Sequence, residues 1–281
     1  MPLKSFLLAL TLMVCTSLSA VADISSAKQD LTIIESRLDN PTTLYCGCRL
    51  VFKSSDRYVP ELDSCGYSVR EDKVRAHRVE AEHIVPAYTF GHTLPCWMSA
   101  PKGQGRAQCE LTSSLFSKME SDLHNLYPAI GEIHSDRSNY SFTNRINSSD
   151  KTLFTYGQCQ MRISPKLKTA VPPNRSKGII ARAYLYMSQR YNLALTMAEE
   201  RMFKAWNEQY RPDKNECRRN ELIELVQGND NPFITEKCRL LWLWFIDWFC
   251  KSLTPNISVF SSKESDIFAF FFNLGIILNP K

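Results

Sequence analysis

The sequence predicts an α+β domain that is braced by disulfides and preceded by an export signal. Several segments repeat apolar residues at steps of three and four, a spacing typical of amphipathic helices. Short runs rich in β-branched and aromatic residues lie between them and favour strands. The 281-residue chain also contains ten cysteines, and behind an export signal cysteines indicate disulfides.

The amino terminus has the features of a signal peptide. Lys4 precedes an apolar run, and Ala20-Val21-Ala22 is the small-x-small pattern found before a cleavage site. The apolar run is too short to cross a membrane, and the residues before Cys15 lack the small side chains of a lipid anchor. We therefore expect residues 1–22 to be removed and the mature chain to be periplasmic or secreted.

Cleavage would leave nine cysteines. With Cys250 set aside, eight lie in one block that suits four bridges, although eight cysteines allow 105 pairings and the connectivity cannot be read. Cys46 and Cys48 form a C-x-C pair whose side chains would point to opposite faces of an extended chain, so they should bond to two different partners. Residues 23–238 are the length of one domain.

The first half of this domain combines short elements. We predict an amphipathic helix from Asp23 that ends before Asn40-Pro41, and another from Leu115 to Leu126 that is stopped by Pro128. The predicted strands are residues 44–52 and 74–85, and the predicted loops are residues 91–111 (braced by Cys96 and Cys109), 134–150 and 165–178.

Three helices are predicted in the second half: Ile179–Tyr191, Ala198–Trp206 and Lys214–Gln227. Thr196 and Glu199 form a capping box, and Gly228 closes the last helix. Residues 239–281 are intensely apolar, although each apolar run is too short to span a membrane. They could be a partner-binding or interfacial extension, or the product of an altered reading frame.

The segment RVEAEHIVPAYTFGH, residues 78–92, concentrates carboxylates and imidazoles at the end of a predicted strand. Hydrolysis of a phosphodiester benefits from a hard cation that stabilises charge and from a base that deprotonates water. Glu82, Asn125 and His83 supply a carboxylate, an amide and an imidazole, and magnesium needs only one or two protein ligands. On a regular strand His83 would face away from Glu82, so a turn or bulge is needed to bring them together.

Several longer segments carry a family resemblance, and they run from about Leu44 to Cys238. They are EAEHIVPAYTFGH, CWM, KMESDLHNLYPAIGEIHSDRSNY, YGQCQM, PPNRSKGIIARAYLYM, FKAWNEQYRPDKNEC and ELIELVQGNDNPF. The chain resembles the endonuclease I family of periplasmic and secreted bacterial nucleases, which have a ββα-metal (His-Me finger) core.

The resemblance implies a catalytic metal, usually Mg²⁺, bound by Glu82 and Asn125, with Mn²⁺ or Ca²⁺ as substitutes, and it implies His83 as the general base. It implies a monomer that cleaves DNA, and often RNA, with little sequence preference and mainly through backbone contacts. An arginine should stabilise the phosphoryl transition state, and Arg106 and Arg137 are the candidates.

The other polar residues near this segment have less specific interpretations. Glu80 could support Glu82, but we favour an exposed side chain, and His124 should pack. A zinc site made of His77, His83 and His92 has no suitable spacing. The net charge of +5 permits a polyanion partner. Two basic clusters lie within residues 70–78 and 166–182, although each could be solvated surface.

Rival functions are a nucleic-acid-binding protein without activity, which an intact Glu82, His83 and Asn125 argue against, and a serine or cysteine hydrolase. The sequence lacks G-x-S-x-G and P-loop motifs.

Overall fold

The computed structural model describes residues 23–55, 57–146 and 151–239. The predicted leader and most of the apolar tail lie outside these residues. The helices are α1 (Ile24–Glu35), α2 (Lys73–Ala76), α3 (Ala87–Gly91), α4 (Pro95–Met98), α5 (Gly105–Thr112), α6 (Ser114–Glu120), α7 (Gly131–Arg137), α8 (Asn174–Tyr191), α9 (Met197–Gln209) and α10 (Lys214–Gln227), and residues 232–239 are also helical. The strands are β1 (Arg49–Ser54), β2 (Arg57–Glu61), β3 (Val79–His83), β4 (Leu126–Ile130), β5 (Ser141–Phe142), β6 (Phe154–Tyr156), β7 (Cys159–Ser164) and β8 (Thr169–Val171). The prediction of an α+β domain is confirmed.

The strands form three small sheets. β1 pairs with β2, β3 pairs with β4, and the third sheet has the order β5-β8-β7-β6. All these pairs are antiparallel except β5 with β8. Within the described residues, no helix is long and apolar enough to cross a membrane.

The antiparallel pair of β3 and β4 forms the centre of the functional region together with α7. Glu82 is opposite Tyr127 in this pair, and α7 starts directly after β4. Gly131 makes this junction possible, because a Cβ atom at that position would lie 2.7 Å from the Arg75 carbonyl oxygen and 2.7 Å from Glu80 Oε1. α7 therefore packs directly against the strand that carries the two carboxylates.

Four disulfides stabilise this arrangement, and the separate partners predicted for Cys46 and Cys48 are confirmed. The bridges are Cys46–Cys159, Cys48–Cys65, Cys96–Cys109 and Cys217–Cys238. The predicted brace of residues 91–111 is the third of them, although this segment also contains α4 and α5 rather than being only a loop.

The largest error concerns the predicted helix from Leu115 to Leu126. α6 ends at Glu120, and the chain then turns so that Asn125 N–H donates to the Asp122 carbonyl oxygen over 3.0 Å. Pro128 does not stop a helix but lies inside β4 opposite Ala81. Ser121, Asp122 and Asn125, which looked like part of the exposed face of a helix, lie in this buried turn. The Tyr186 and Tyr191 hydroxyls donate to Asp122, and the Asn125 amide bonds to the Val85 backbone, so partners distant in the sequence satisfy these two side chains.

Other boundaries also moved. The strand predicted for 74–85 is shortened to β3 because α2 occupies its start, and the strand predicted for 44–52 begins only at Arg49. The loop predicted for 134–150 contains the end of α7 and β5, and the connector predicted for 165–178 contains β8 and the start of α8. The capping box of Thr196 and Glu199 is confirmed, as are the bounds of α10 and its Gly228 cap.

Candidate active site

Glu82 lies near the end of β3 and is fully buried. The Tyr45 hydroxyl donates to its Oε1 over 2.5 Å, and Arg137 Nη1 is 3.0 Å from the same atom. Its other oxygen, Oε2, is buried and has no hydrogen-bond partner among the described residues. A buried carboxylate oxygen left in this state is costly unless a positive charge approaches it.

The group that faces this oxygen is His134 on α7. His134 Nε2 is 3.4 Å from Glu82 Oε2, and Nδ1 is 2.6 Å from Glu80 Oε2. Because a carboxylate accepts, Nδ1 carries the hydrogen and the neutral ring directs its Nε2 lone pair towards Glu82. Burial disfavours the charged ring, but the hydrogen bond to Glu80 and the charge of Glu82 hold the pKa of His134 above its ordinary value. The space between Nε2 and Oε2 therefore favours a positive charge, either a proton or a metal ion.

Glu80 is half-buried, so the prediction of an exposed side chain is wrong. Arg75 Nη2 and Arg78 Nε lie 2.5 Å and 2.7 Å from its carboxylate oxygens. Burial opposes ionisation, but the hydrogen bonds from His134 and Arg75 lower the pKa of Glu80 to about 2. Glu80 and Glu82 share one face of β3, so an ionised Glu80 binds His134 through Nδ1, the ring nitrogen that does not face Glu82.

His83 is the next residue on β3. The pairing of β3 with β4 is regular through His83, so the predicted bulge is absent and the ring points in a different direction from Glu82. Its Nε2 is 2.7 Å from the backbone carbonyl oxygen of Glu120, an atom that can only accept. Nε2 therefore donates, and Nδ1 is left as the acceptor. Burial lowers the pKa of His83 to about 3, and the charges of Arg106 and His134 act in the same direction. At neutral pH the ring is uncharged and able to take a proton.

Arg106 lies on α5, inside the segment braced by Cys96–Cys109. Its Nη2 is 2.6 Å from Glu120 Oε1, and its side chain keeps 46% of its surface exposed. Burial raises the pKa of Glu120 to about 7, while Arg106 acts against this rise. Arg106 bonds to the Glu120 carboxylate and His83 bonds to the Glu120 backbone carbonyl, so Glu120 connects the arginine to the imidazole.

Arg137, the second arginine candidate, has a different environment. It is 1% exposed, and its guanidinium donates to the His83 carbonyl oxygen over 3.0 Å and also to the Ile84 carbonyl oxygen. Together with its contact to Glu82, these bonds hold the end of β3 in place. Arg137 therefore positions the end of β3, and its guanidinium is buried out of reach of a substrate.

His124, which was predicted to pack, and Asn125, which was predicted to bind the metal, are both buried. Asn125 Oδ1 accepts from the Val85 N–H over 2.7 Å, and its Nδ2 donates to the Val85 carbonyl oxygen over 3.0 Å. Its amide is therefore engaged by the backbone that follows His83. His124 packs against the Tyr186 ring at 4.7 Å, as predicted.

The geometry thus brings Glu82, His83 and Arg106 into one region and adds His134, which the sequence did not single out. The missed histidine lies within the segment GEIHSDR. Residues 134–150, which include the second half of α7, were predicted as a loop, so no periodicity placed this ring opposite Glu82. No group of three or more His, Cys, Asp or Glu side chains suited to one metal ion occurs in the described parts of the chain. This result gives no support to the zinc alternative and suits a cation with few protein ligands.

Comparisons with known proteins extend over nearly the same residues. The model of the family described as endonuclease I matches residues 17–238. A periplasmic deoxyribonuclease of Aeromonas hydrophila is 43% identical over 242 residues, which cover 85% of this chain and 96% of the relative. An extracellular deoxyribonuclease of the same species is 45% identical over 215 residues, covering 76% and 89%. Endonuclease-1 of Buchnera aphidicola subsp. Baizongia pistaciae is 43% identical over 204 residues, covering 72% and 79%.

The four disulfides agree with the compartments named for these relatives, since such bridges persist in oxidising environments. The protein is periplasmic or secreted. With a family model that matches most of the chain and relatives that are more than 40% identical over most of their length, the chain belongs to the endonuclease I family.

Proposed function

We propose that this protein is a metal-dependent endonuclease of the ββα-metal class that hydrolyses DNA phosphodiester bonds with little sequence specificity. The observation that carries the proposal is the buried Oε2 of Glu82, which faces His134 Nε2 at 3.4 Å beside a neutral His83. β3 and β4 pair in antiparallel fashion and α7 follows β4 directly, which gives the two strands and the helix of this class, with α3 to α6 inserted between the strands.

Glu82 and His134 are the residues that would hold the cation. Magnesium keeps several waters and is usually held by one or two protein groups plus phosphate oxygens, so two protein ligands are sufficient. When bound, the cation supplies positive charge for the phosphate and for the leaving oxygen. His134 replaces Asn125 in this proposal, because the amide of Asn125 already bonds to Val85 in both directions. Mn²⁺ and Ca²⁺ are the substitutes to be tested.

Glu80 would support the cation site indirectly. A metal-binding histidine usually donates its second ring N–H to a carboxylate, which fixes the tautomer and the ring orientation. Glu80 accepts from His134 Nδ1 in this manner, over 2.6 Å. Arg75 and Arg78 keep Glu80 ionised, so part of the basic cluster around residues 70–78 serves the site rather than the solvent.

His83 is proposed as the general base. The Glu120 carbonyl oxygen holds Nε2–H, and Nδ1 accepts a proton from the attacking water. Its low pKa keeps the ring uncharged before the reaction. Tyr45 and Arg137 hold Glu82 through the other carboxylate oxygen, so the strand end presents both functional side chains in fixed orientations.

Arg106 is proposed to stabilise the charge that develops on the phosphate. It is half-exposed near His83, whereas Arg137 is buried. Glu120 orients the guanidinium through Nε and Nη2, and Glu110 also accepts from Nε over 3.1 Å. The Nη1 donors are left for the substrate. Preorganised donors of this kind act strongly in a site that excludes water.

DNA is the proposed substrate because relatives at 43% and 45% identity are named deoxyribonucleases. Contacts to the phosphate backbone carry no sequence information, in agreement with low specificity. RNA is the second substrate to test, and the protein is proposed to act as a monomer. A binding protein without activity is the competing proposal, which the intact arrangement of Glu82, His83 and His134 disfavours.

The test uses oxidised protein with supercoiled plasmid, in Mg²⁺ or in chelator, beside the variant His83→Ala. We expect nicking and degradation in Mg²⁺ only, and their loss in the variant. A parallel reaction with a structured RNA sets the substrate range. Intact plasmid in every reaction of the folded wild-type protein would leave the inactive binding protein as the better explanation.

A further inference from the structure

A polar groove lies between β7 and the start of α8, away from Glu82 and His134 in the chain. We call it the β7–α8 groove, and it has a volume of about 430 Å³. The β6–β7 turn, β7 and the first turn of α8 form its walls. Its polar lining includes Asn144, Gln158, Gln160, Arg162, Asn174 and Lys177.

The charges in this groove are unbalanced. Arg162 and Lys177 are half-buried there, and among the described lining residues none is a carboxylate. Lys177 Nζ donates to Asn174 Oδ1 over 2.9 Å and lies 5.5 Å and 5.6 Å from the ring centres of Trp206 and Tyr210. Burial lowers the pKa of Lys177, and the positive charge of Arg162 lowers it further. Two like charges held together in a recess favour an anionic ligand.

Four members of the basic clusters at residues 70–78 and 166–182 are engaged by carboxylates, and Arg162 lies outside both clusters. Arg75 and Arg78 pair with Glu80, Arg70 pairs with Asp136, and Arg182 is buried against Glu216 with 2.6 Å between Nε and Oε1. Arg162 and Lys177 form no ion pair with a carboxylate in the part of the chain that the structure describes. These two cations thus differ from the paired cations, which serve the fold.

The groove is rigidly joined to the elements of the candidate active site. Cys159 on its wall is bonded to Cys46, which follows the Tyr45 that holds Glu82. Tyr156, beside the groove, donates to Asp136 on α7 over 2.7 Å, and α7 carries His134. A long ligand bound in the groove would therefore be held in a fixed relation to Glu82 and His134.

We propose that the β7–α8 groove binds backbone phosphates of the DNA substrate at a distance from the cleaved bond, through Arg162 and Lys177. The amide side chains around them can contact phosphate and sugar oxygens without reading base sequence. This inference rests on the proposed function, since it assigns a second contact to the same substrate. It would allow a long DNA to be held independently of the metal.

The test measures binding of a labelled DNA duplex to the full protein in chelator, so that no cleavage occurs, over a range of salt concentrations. Log affinity falls linearly with log salt concentration, and each phosphate contact makes this negative slope steeper by about 0.9. We expect Arg162→Gln and Lys177→Gln each to reduce the magnitude of that slope by about 0.9, and the double variant to reduce it by about 1.8. Binding should weaken equally for all DNA sequences. Lys53→Gln with Arg57→Gln, two exposed cations on the β1–β2 hairpin, is the matched control.

An unchanged slope in folded variants, or an equal decrease in the control, would overturn the groove assignment. Thermal unfolding of every variant establishes that it is folded, and the single variants carry the test if the double variant does not fold. The outcome is separate from the proposed cleavage. A wild-type protein that cleaves plasmid with an unaltered slope in the variants refutes only the groove, whereas one that binds DNA without cleaving it refutes only the activity.

Discussion

Glu82 and His134 approach each other across the space between β3 and α7, with 3.4 Å between Oε2 and Nε2. The other carboxylate oxygen of Glu82 is held by Tyr45 and Arg137, and the other ring nitrogen of His134 is held by Glu80. Each residue thus uses one polar atom for its own orientation and directs the second towards its neighbour. This arrangement is the basis of the proposed cation site.

Glu80→Gln tests the support of His134. The amide keeps the size of the side chain but loses the charge that fixes the ring and pairs with Arg75 and Arg78. Loss of such a supporting partner typically weakens metal binding about 10- to 100-fold, and we expect this decrease for Mn²⁺ by calorimetry. Glu61→Gln, in an exposed pair with Arg49, should bind as the wild type does. Equal affinities of the two variants would argue against a role for Glu80.

Asn125→Ala separates a structural role from a ligand role. Both amide atoms bond to Val85, so their loss leaves a buried N–H and a buried carbonyl oxygen without partners. Each such group costs about 1–3 kcal/mol. We expect a large loss in the free energy of unfolding by denaturant titration, with metal affinity retained in the folded fraction. A variant of wild-type stability that no longer binds metal would restore Asn125 as a ligand.

Arg106→Ala should slow DNA cleavage in protein that remains folded. The side chain is half-exposed, and removal of one donor to a developing oxyanion typically costs about 10²–10³ in rate. Lys102→Ala, an exposed cation near the start of α5, serves as the control for charge alone. Single-turnover cleavage rates and thermal unfolding together decide the outcome. A decrease of the same size in both variants would point to general electrostatics.

The disulfides should differ in their effect on activity. Cys46–Cys159 closes a separation of 113 residues beside Tyr45, whereas Cys217–Cys238 closes 21 residues and joins α10 to the helical residues 232–239. Loss of either is expected to cost about 2–5 kcal/mol of stability. Paired Cys→Ala variants, assayed at low temperature where both are folded, should show reduced cleavage only for the first pair. Full activity of folded protein that lacks Cys46–Cys159 would contradict this link to Glu82.

The sequence predicted the helices with strong caps and periodicity best. α10 has the predicted bounds, because its caps, Asp213 at the start and Gly228 at the end, act locally. It failed where tertiary contacts decide the local structure. The residues around Asn125 have the spacing of a helix, yet they form a buried turn whose Asp122 and Asn125 side chains bond to distant parts of the chain, and Pro128 is accommodated in β4.

The candidate site shows the same division. Glu82 and His83 could be chosen because carboxylate and imidazole at a strand end suit phosphodiester hydrolysis. His134 could not, since it is 52 residues away from Glu82 in the sequence (134 minus 82) and meets it only because β3 pairs with β4 and α7 follows β4. Glu80 looked exposed because alternation along a strand does not reveal that α7 covers that face.

The central claim is that Glu82 and His134 together hold the cation, and direct measurement of metal binding tests it. Calorimetric titration of the oxidised protein with Mg²⁺ and Mn²⁺ should give one site per chain in the wild type and in the control variant His92→Ala. His92 is distant from α7 in the sequence, and its ring bonds to the Tyr88 carbonyl oxygen. Binding should be lost in Glu82→Gln and weakened about 100-fold or more in His134→Ala, while both variants remain folded. Wild-type affinity in folded His134→Ala would contradict the account.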